Sequence, residues 1–410
     1  MTNHQNNIAF IFDDLTEFFV MRKPIDALIK AKVPLDIIVP YDSGYNNLPE
    51  HTFRKITELG YYPIKDAPKN KKYKVILTPY PTLKIIQRLN FIYHLRIPYS
   101  TISAKPNPVY TPMAKMNYDC IICFNNYEPT FLTAYGADCR AIPYWEYYNF
   151  KKTPNQSTPN LLILPTFGED TSCIELLSPQ IIKKIKKHYH VIIKAHHAIH
   201  FNADGTNMLK KIKNLGDEFY DSDTPITSLL KRADIVLSDN SGSIFEAIYS
   251  NTPVASFSKD LNSRHLGTIN TLQYQLSQNG ILPHTSQPQE VLPMLLSIDK
   301  YYEKQQQAKE QLFPAPHANS IQNFLDIIKE YILKNENKDY KKILHDIMVN
   351  ETNLHLDHNA QIIKLRTEIS ELQAYKDNSE KIFNSRAYKI FQQVIKPYQA
   401  IKNKKSNYES

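Results

Sequence analysis

Short apolar runs alternate with amphipathic stretches through most of this chain, and that alternation predicts its elements. Runs at 8–12, 35–39, 75–78, 99–103 and 119–124 are rich in Ile, Val, Phe and Tyr. They predict strands that alternate with helical segments in one α/β layer set. Between them, 25–32 and 83–89 repeat apolar residues at helical spacing. A polar stretch at 150–159 with two prolines breaks the series. A second set of strands is predicted at 161–165, 190–194, 234–238 and 253–257. The pattern predicts an α/β protein with two Rossmann-like domains facing a cleft, residues 1–155 and 156–335, then a helical, basic extension over 336–410.

Candidate chemistry gathers at the ends of three strands in the second set. After the strand at 234–237 come Ser238, Asp239, Asn240, Ser241, Gly242 and Ser243, and then a helix start. Backbone N–H groups at a helix start lack intrahelical partners, and the small side chains of Ser241, Gly242 and Ser243 leave room for a diphosphate. Ser, Asp and Asn before a helix are equally the residues of ordinary capping, so both readings stand. The run 189–197 delivers Lys194, His196 and His197 to the end of its strand, and the run 161–172 ends with Thr166, Glu169, Thr171 and Ser172. Open α/β sheets bind ligands at such ends.

These residues resemble the CDP-glycerol glycerophosphotransferases, which build teichoic acids and some capsule polymers. Leu164-Pro-Thr-Phe167 is similar to that family's Pro-Thr-aromatic strand end. Lys194-Ala-His196-His197 is similar to its Lys/Arg-x-His-Pro end, and Asp234 to Ser243 to its Asp-x-x-x-(Ser/Thr)-Asp-Tyr-Ser-Ser turn. The similarity covers about 110–300, with the three signatures in order. His197 replaces the usual Pro, and Asn240-Ser-Gly-Ser243 replaces Tyr-Ser-Ser.

The resemblance implies a GT-B architecture with the nucleotide donor in the C-terminal domain and the acceptor facing the N-terminal one. It implies transfer of glycerol phosphate from CDP-glycerol to a hydroxyl of a glycan or polymer primer. Thr166, Lys194 and the residues Ser238, Asp239, Asn240, Ser241, Gly242 and Ser243 are then the expected donor contacts. His196 is expected to give a hydrogen bond or proton to the donor phosphate, and Asp239 to orient His196, bind donor hydroxyls, or simply cap. The family's polymerases carry a His-Gly motif whose histidine acts as general base, and the run 99–108 has none. Asp13, Asp14 and Glu169 are therefore the candidate bases, and the missing motif favours addition of one or a few units over processive synthesis.

Composition changes this picture little. With 410 residues and 42% hydrophobic content the chain can fill two cores. Nothing at the start reads as a signal peptide and no run reads as a membrane span, which predicts a cytoplasmic protein. Four cysteines fit that compartment, and Cys120-x-x-Cys123 reads as part of a strand. His196 and His197 point to opposite sides of a strand end, so no metal or cofactor is expected. Only nine glycines and no Gly-x-Gly-x-x-Gly argue against an NAD enzyme. The formal charge of +8 suits an anionic partner, and no nucleic-acid-binding motif is visible.

Ile362, Leu365, Ile369 and Leu372 repeat at helical spacing, which fits either a short coiled coil or a lone amphipathic helix. Residues 385–405 interleave Tyr388, Phe391, Ile395 and Tyr398 with Arg386, Lys389, Lys396, Lys402, Lys404 and Lys405. That mixture suits an anionic membrane surface, and it also suits a helix packed on the protein's own core. The membrane reading places the protein peripherally on the inner face of the bacterial membrane, with a lipid-linked glycan or glycerol-phosphate acceptor and a capsule polymerase complex as partners. Two other classes stay open: a GT-B glycosyltransferase using a nucleotide sugar, and a non-enzymatic assembly subunit of such a complex. A UDP-N-acetylglucosamine 2-epimerase, whose turn the 238–247 run also resembles, is disfavoured because Phe12-Asp-Asp-Leu-Thr16 replaces its Gly-Thr-Arg-Pro-Glu.

Overall fold

The computed structural model describes residues 7–41, 48–69, 71–79, 84–98, 100–101, 118–133, 138–153, 158–166, 172–196, 199, 205–261 and 271–334. The first sheet contains β1 (Ile8–Ile11), β2 (Leu35–Ile38), β3 (Pro63–Ile64), β4 (Lys72–Thr78), β5 (Asn90–Arg96), β6 (Cys120–Cys123) and β7 (Cys139–Ala141). Their order is β3-β2-β1-β4-β5-β6-β7, every pair parallel. The second sheet contains β8 (Asn160–Leu164), β9 (His190–Lys194), β10 (Glu218–Tyr220), β11 (Ile235–Ser238), β12 (Val254–Phe257) and β13 (His284–Thr285). Its order is β10-β9-β8-β11-β12-β13, again parallel throughout. Two parallel-sheet α/β domains are therefore present, and the central strands are the uniformly apolar ones. Ile8, Ala9, Phe10 and Ile11 are all fully buried, and each large apolar side chain so buried stabilises by about 1.5–3 kcal/mol.

Both sheets are wound outward from a central strand. The chain leaves β1 toward β2 and β3, then returns to pair β4 on the other side of β1; β8 does the same with β9, β10 and then β11. The strand order thus reverses between β1 and β4 and between β8 and β11. Connections diverge at such points and leave a crevice beyond the carboxyl ends, where ligands of this fold class bind.

Several elements differ from the sequence expectation. The strand expected at 99–103 is instead β5, eight residues earlier at its midpoint, and the described Ser100 and Thr101 form a bend. Asn-Phe-Ile-Tyr-His-Leu-Arg has polar residues at both ends and in its middle, which hid it from a reading by apolar runs, yet His94 is fully buried. The short outer strands β3, β7, β10 and β13 carry too few residues for any periodicity. The helix expected at 25–32 is α1 (Leu15–Lys30), which runs through Pro24. It starts at a capping box: Asp14 Oδ1 accepts from Thr16 N–H at 2.6 Å, and Glu17 reaches back to the backbone of Asp14. The stretch at 83–89 is a 3-10 helix, Lys84–Arg88.

An aromatic seam joins the sheets. Phe124 stacks on Tyr144 at 4.1 Å, Tyr147 meets Tyr249 at 4.5 Å, and Tyr249 stacks on Phe313 at 4.4 Å. The chain then returns to the first sheet through a C-terminal helix, Ser320–Leu333. There the Tyr331 hydroxyl donates to Asp119 O at 2.9 Å, Arg140 pairs with Glu330, and Phe324 packs on Trp145 at 5.6 Å.

Candidate functional site

The three strand ends singled out in the sequence meet at the crevice of the second sheet. Ser238 Oγ donates to Leu164 O at 2.8 Å and lies 2.7 Å from Ser243 Oγ, which ties β11, the end of β8 and the next helix together. Asp239 is fully buried, and its Oδ2 accepts from the backbone N–H groups of Thr166 at 2.7 Å and Cys173 at 3.0 Å. Asn240 Nδ2 donates to Leu261 O at 2.7 Å. Ser241 O accepts from Gln273 Nε2 at 3.4 Å, and Ser241 Oγ accepts from Ser243 N–H at 3.4 Å. Gly242 precedes the helix Ser243–Tyr249 with ordinary helical dihedrals. Most of the turn is therefore spent on internal bonds, and Gly242 and Ser243 are its partly exposed members.

Lys194, at the end of β9, is held differently. Its Nζ donates to Ala195 O at 3.0 Å and Ser222 O at 3.1 Å. Burial pushes the amine down to about 8, against the opposing pull of Asp14, Asp221 and Asp223. Asp14 belongs to the first domain, so the carboxyl end of β1 and the carboxyl end of β9 face each other closely enough for one charge to act on the other. His196 lies two residues beyond Lys194, partly exposed, with its carbonyl accepting from Ile199 N–H at 3.1 Å. His197 and Glu169 lie outside the described residues.

The segment after β10 is met by α2 (Leu48–Glu58) of the first domain. His51 Nε2 lies 3.2 Å from Asp223 Oδ1, and Lys55 Nζ lies 3.7 Å from Asp223 Oδ2. Thr52 Oγ1 donates to Asp13 O at 3.1 Å, so Asp13 is held from both sides, its N–H going to Glu17 Oε2 at 3.0 Å.

Two further carboxyls, without a role in the sequence analysis, are buried on the helices that follow β1 and β11. Glu17 is buried beside Asp13 and Asp14, and burial followed by those two charges raises it well above the usual carboxylate range. Its signal was present in the Asp-x-x-Glu spacing of the capping box. Glu246 follows the turn in sequence, yet its partners, Thr101 and Tyr147, come from distant segments that no local pattern connects. Cys120 and Cys123 are buried on β6 as expected, with Cys123 Sγ 3.4 Å from Cys139 Sγ. Among the described residues no group of three His, Cys, Asp or Glu is gathered as a metal site, and no helix is long and apolar enough to cross a membrane.

Two parallel α/β domains whose strand ends face one another define the GT-B fold. No protein-family model matches the sequence, and no curated protein matches it in sequence. Solved structures do share its fold. A structure of the wall teichoic acid polymerase TagF soaked with CDPG aligns with a TM-score of 0.54 and 13% identity, covering 81% of this chain and 90% of that one. A Listeria monocytogenes structure described as a UDP-N-acetylglucosamine 2-epimerase aligns at 0.53 and 11% identity, covering 81% and 99%. A S. aureus MnaA–UDP structure aligns at 0.52 and 12% identity, covering 82% and 100%.

Proposed function

We propose that this protein is a CDP-glycerol glycerophosphotransferase, acting on a hydroxyl of a membrane-linked glycan or polymer primer and adding one or a few units. The observation that carries the reading is the meeting of Thr166, Lys194 and the 238–243 turn at the β8/β11 crevice, with Asp14 of the first domain within electrostatic reach. The three signatures in the sequence, and the fold shared with a polymerase soaked with CDPG, support it.

In this reading the acceptor oxygen bonds to the β-phosphorus, the bond from that phosphorus to the bridging oxygen breaks, and CMP leaves. Charge develops on the bridging and non-bridging oxygens. Lys194 supplies positive charge once its amine is protonated, and His196 supplies a hydrogen bond or proton near neutrality. Gly242 and Ser243 present small groups to the phosphates. Asp239 acts from behind, holding Thr166 in place. The acceptor's proton goes to a carboxylate, with Asp14, Asp13 and Glu169 the candidates, and the basic segment 385–405 brings the enzyme to an anionic membrane surface and to a capsule polymerase complex.

A second reading, a GT-B transferase using a nucleotide sugar, is favoured by the fold shared with the UDP-bound MnaA structure. Purified protein incubated with CDP-glycerol, CDP-ribitol and a set of UDP-sugars separates the two. Turnover and thermal protection with CDP-glycerol are expected. Protection by UDP-sugars alone would favour the second reading, and binding without turnover of any donor would make the protein an assembly subunit.

A further inference from the structure

The helix that follows the 238–243 turn is fastened to the first domain through a buried carboxyl. Glu246 lies on that helix and is 8% exposed. It accepts from the Tyr147 hydroxyl on Oε2 and from the Thr101 N–H at 3.3 Å on Oε1. Tyr147 belongs to the segment joining the two sheets, and Thr101 to the first domain beyond β5. Thr101 is anchored in turn: Asn125 Nδ2 donates to its carbonyl at 2.8 Å and to Glu128 Oε2 at 3.1 Å, and Arg96 stands 3.9 Å from that carboxylate. A chain of polar groups thus runs from the carboxyl edge of the first sheet to the helix behind the turn. Burying a carboxyl is costly where an apolar side chain could pack, and the aromatic surroundings offer ample apolar surface.

We propose that Glu246 is a positioning residue, which sets the placement of the 238–243 turn against the first domain through its bonds to Tyr147 and Thr101. The proposal deepens the donor-site reading and rests on it for its effect on turnover only. Burial raises the Glu246 carboxyl to about 7, while the bonds from Tyr147 and Thr101 pull it down. The groups that face it are Tyr144, Glu146 and Tyr147 from the joining segment and Tyr249 from its own helix. Beyond Thr101 stand Glu128 and Arg96, Glu146 is paired with Lys23 at 3.0 Å, and Lys309 lies over the Tyr249 ring at 5.8 Å. An ionised carboxylate accepts hydrogen bonds more strongly than the neutral acid, so the fastening tightens as pH rises through about 7.

Trp145, the single tryptophan of the chain, reports on this segment without any ligand. It is buried, and its ring sits edge-on to Tyr144 at 5.7 Å. Wild-type emission is expected to change between roughly pH 6 and pH 8, with its midpoint near 7. Glu246→Gln keeps an acceptor oxygen but cannot ionise, and should lack that transition. Tyr147→Phe removes one donor to the charged form and should move the midpoint upward, which keeps the test open if the Gln variant folds poorly. An identical emission profile in wild type and Glu246→Gln, or an unmoved midpoint in Tyr147→Phe, overturns the proposal. Kinetics with CDP-glycerol add the consequence: wild-type kcat should fall several-fold below the midpoint, and the Gln variant should be flat. Emission that behaves as expected in a protein that turns over no CDP-glycerol would sink the donor assignment and leave the role of Glu246 standing. Turnover with the same pH profile in both proteins would sink the positioning role alone.

Discussion

The Asp239 carboxylate accepts the backbone N–H of Thr166 across a distance of 2.7 Å, joining the turn after β11 to the end of β8. One side chain thereby fixes the relative position of two of the three strand ends that form the crevice. It does so from a fully buried position, with a second backbone donor, Cys173 N–H, on the same oxygen.

Asp239→Ala should therefore destabilise the protein strongly. Two buried N–H groups lose their acceptor, at about 1–3 kcal/mol each. Urea unfolding is expected to show a loss of roughly 2–6 kcal/mol with an unchanged slope. A change within about 0.5 kcal/mol, the ordinary effect of a surface substitution, would mean that this carboxylate does not hold the crevice together.

Lys194 predicts a proton linkage. Its folded amine sits at about 8, below the usual 10.5, so between those values the unfolded chain holds more protons than the native one. Stability should rise with pH across that window, while below about 8 the cost of the buried charge is fully present. A bound diphosphate should restore the ordinary affinity for the proton. Calorimetric titration of CDP-glycerol in buffers of different ionisation heat is expected to show proton uptake near pH 8 in the wild type and none in Lys194→Met. Equal uptake in both proteins would move the linked proton elsewhere.

His196→Ala is expected to lose about 10²–10⁴-fold in transfer with little change in the melting temperature, because the side chain is assigned to charge on the reacting phosphate. Near-normal turnover would place His196 among the structural residues.

Truncation after Asn384 should release the protein from anionic vesicles and leave transfer to a soluble acceptor analogue largely intact. Binding of the full chain should weaken as salt rises, since lysines near an anionic surface act through screened attraction. Loss of activity on the soluble acceptor would make the segment part of the folded core instead of an anchor.

Uniform apolar runs and the polar groups that end them were sufficient to read the central strands, the two-domain α/β class and the candidate residues Thr166, Lys194 and Ser238 to Ser243, because both are local properties of the chain. Three ordered signatures added the GT-B expectation. Strand β5 escaped, since its buried His94 and flanking polar residues break the apolar pattern, and β3, β7, β10 and β13 are too short to have one.

Only the tertiary structure decided which polar groups are spent and on what. Asp239 and Asn240 turn out to serve backbone groups of distant segments. Lys194 acquires its lowered pKa from burial, against the opposing pull of acids that include Asp14, 180 residues away in the other domain. Glu246 becomes a cross-domain contact through Tyr147 and Thr101. Burial and charge act through space, and folding brings together side chains that no spacing along the chain relates.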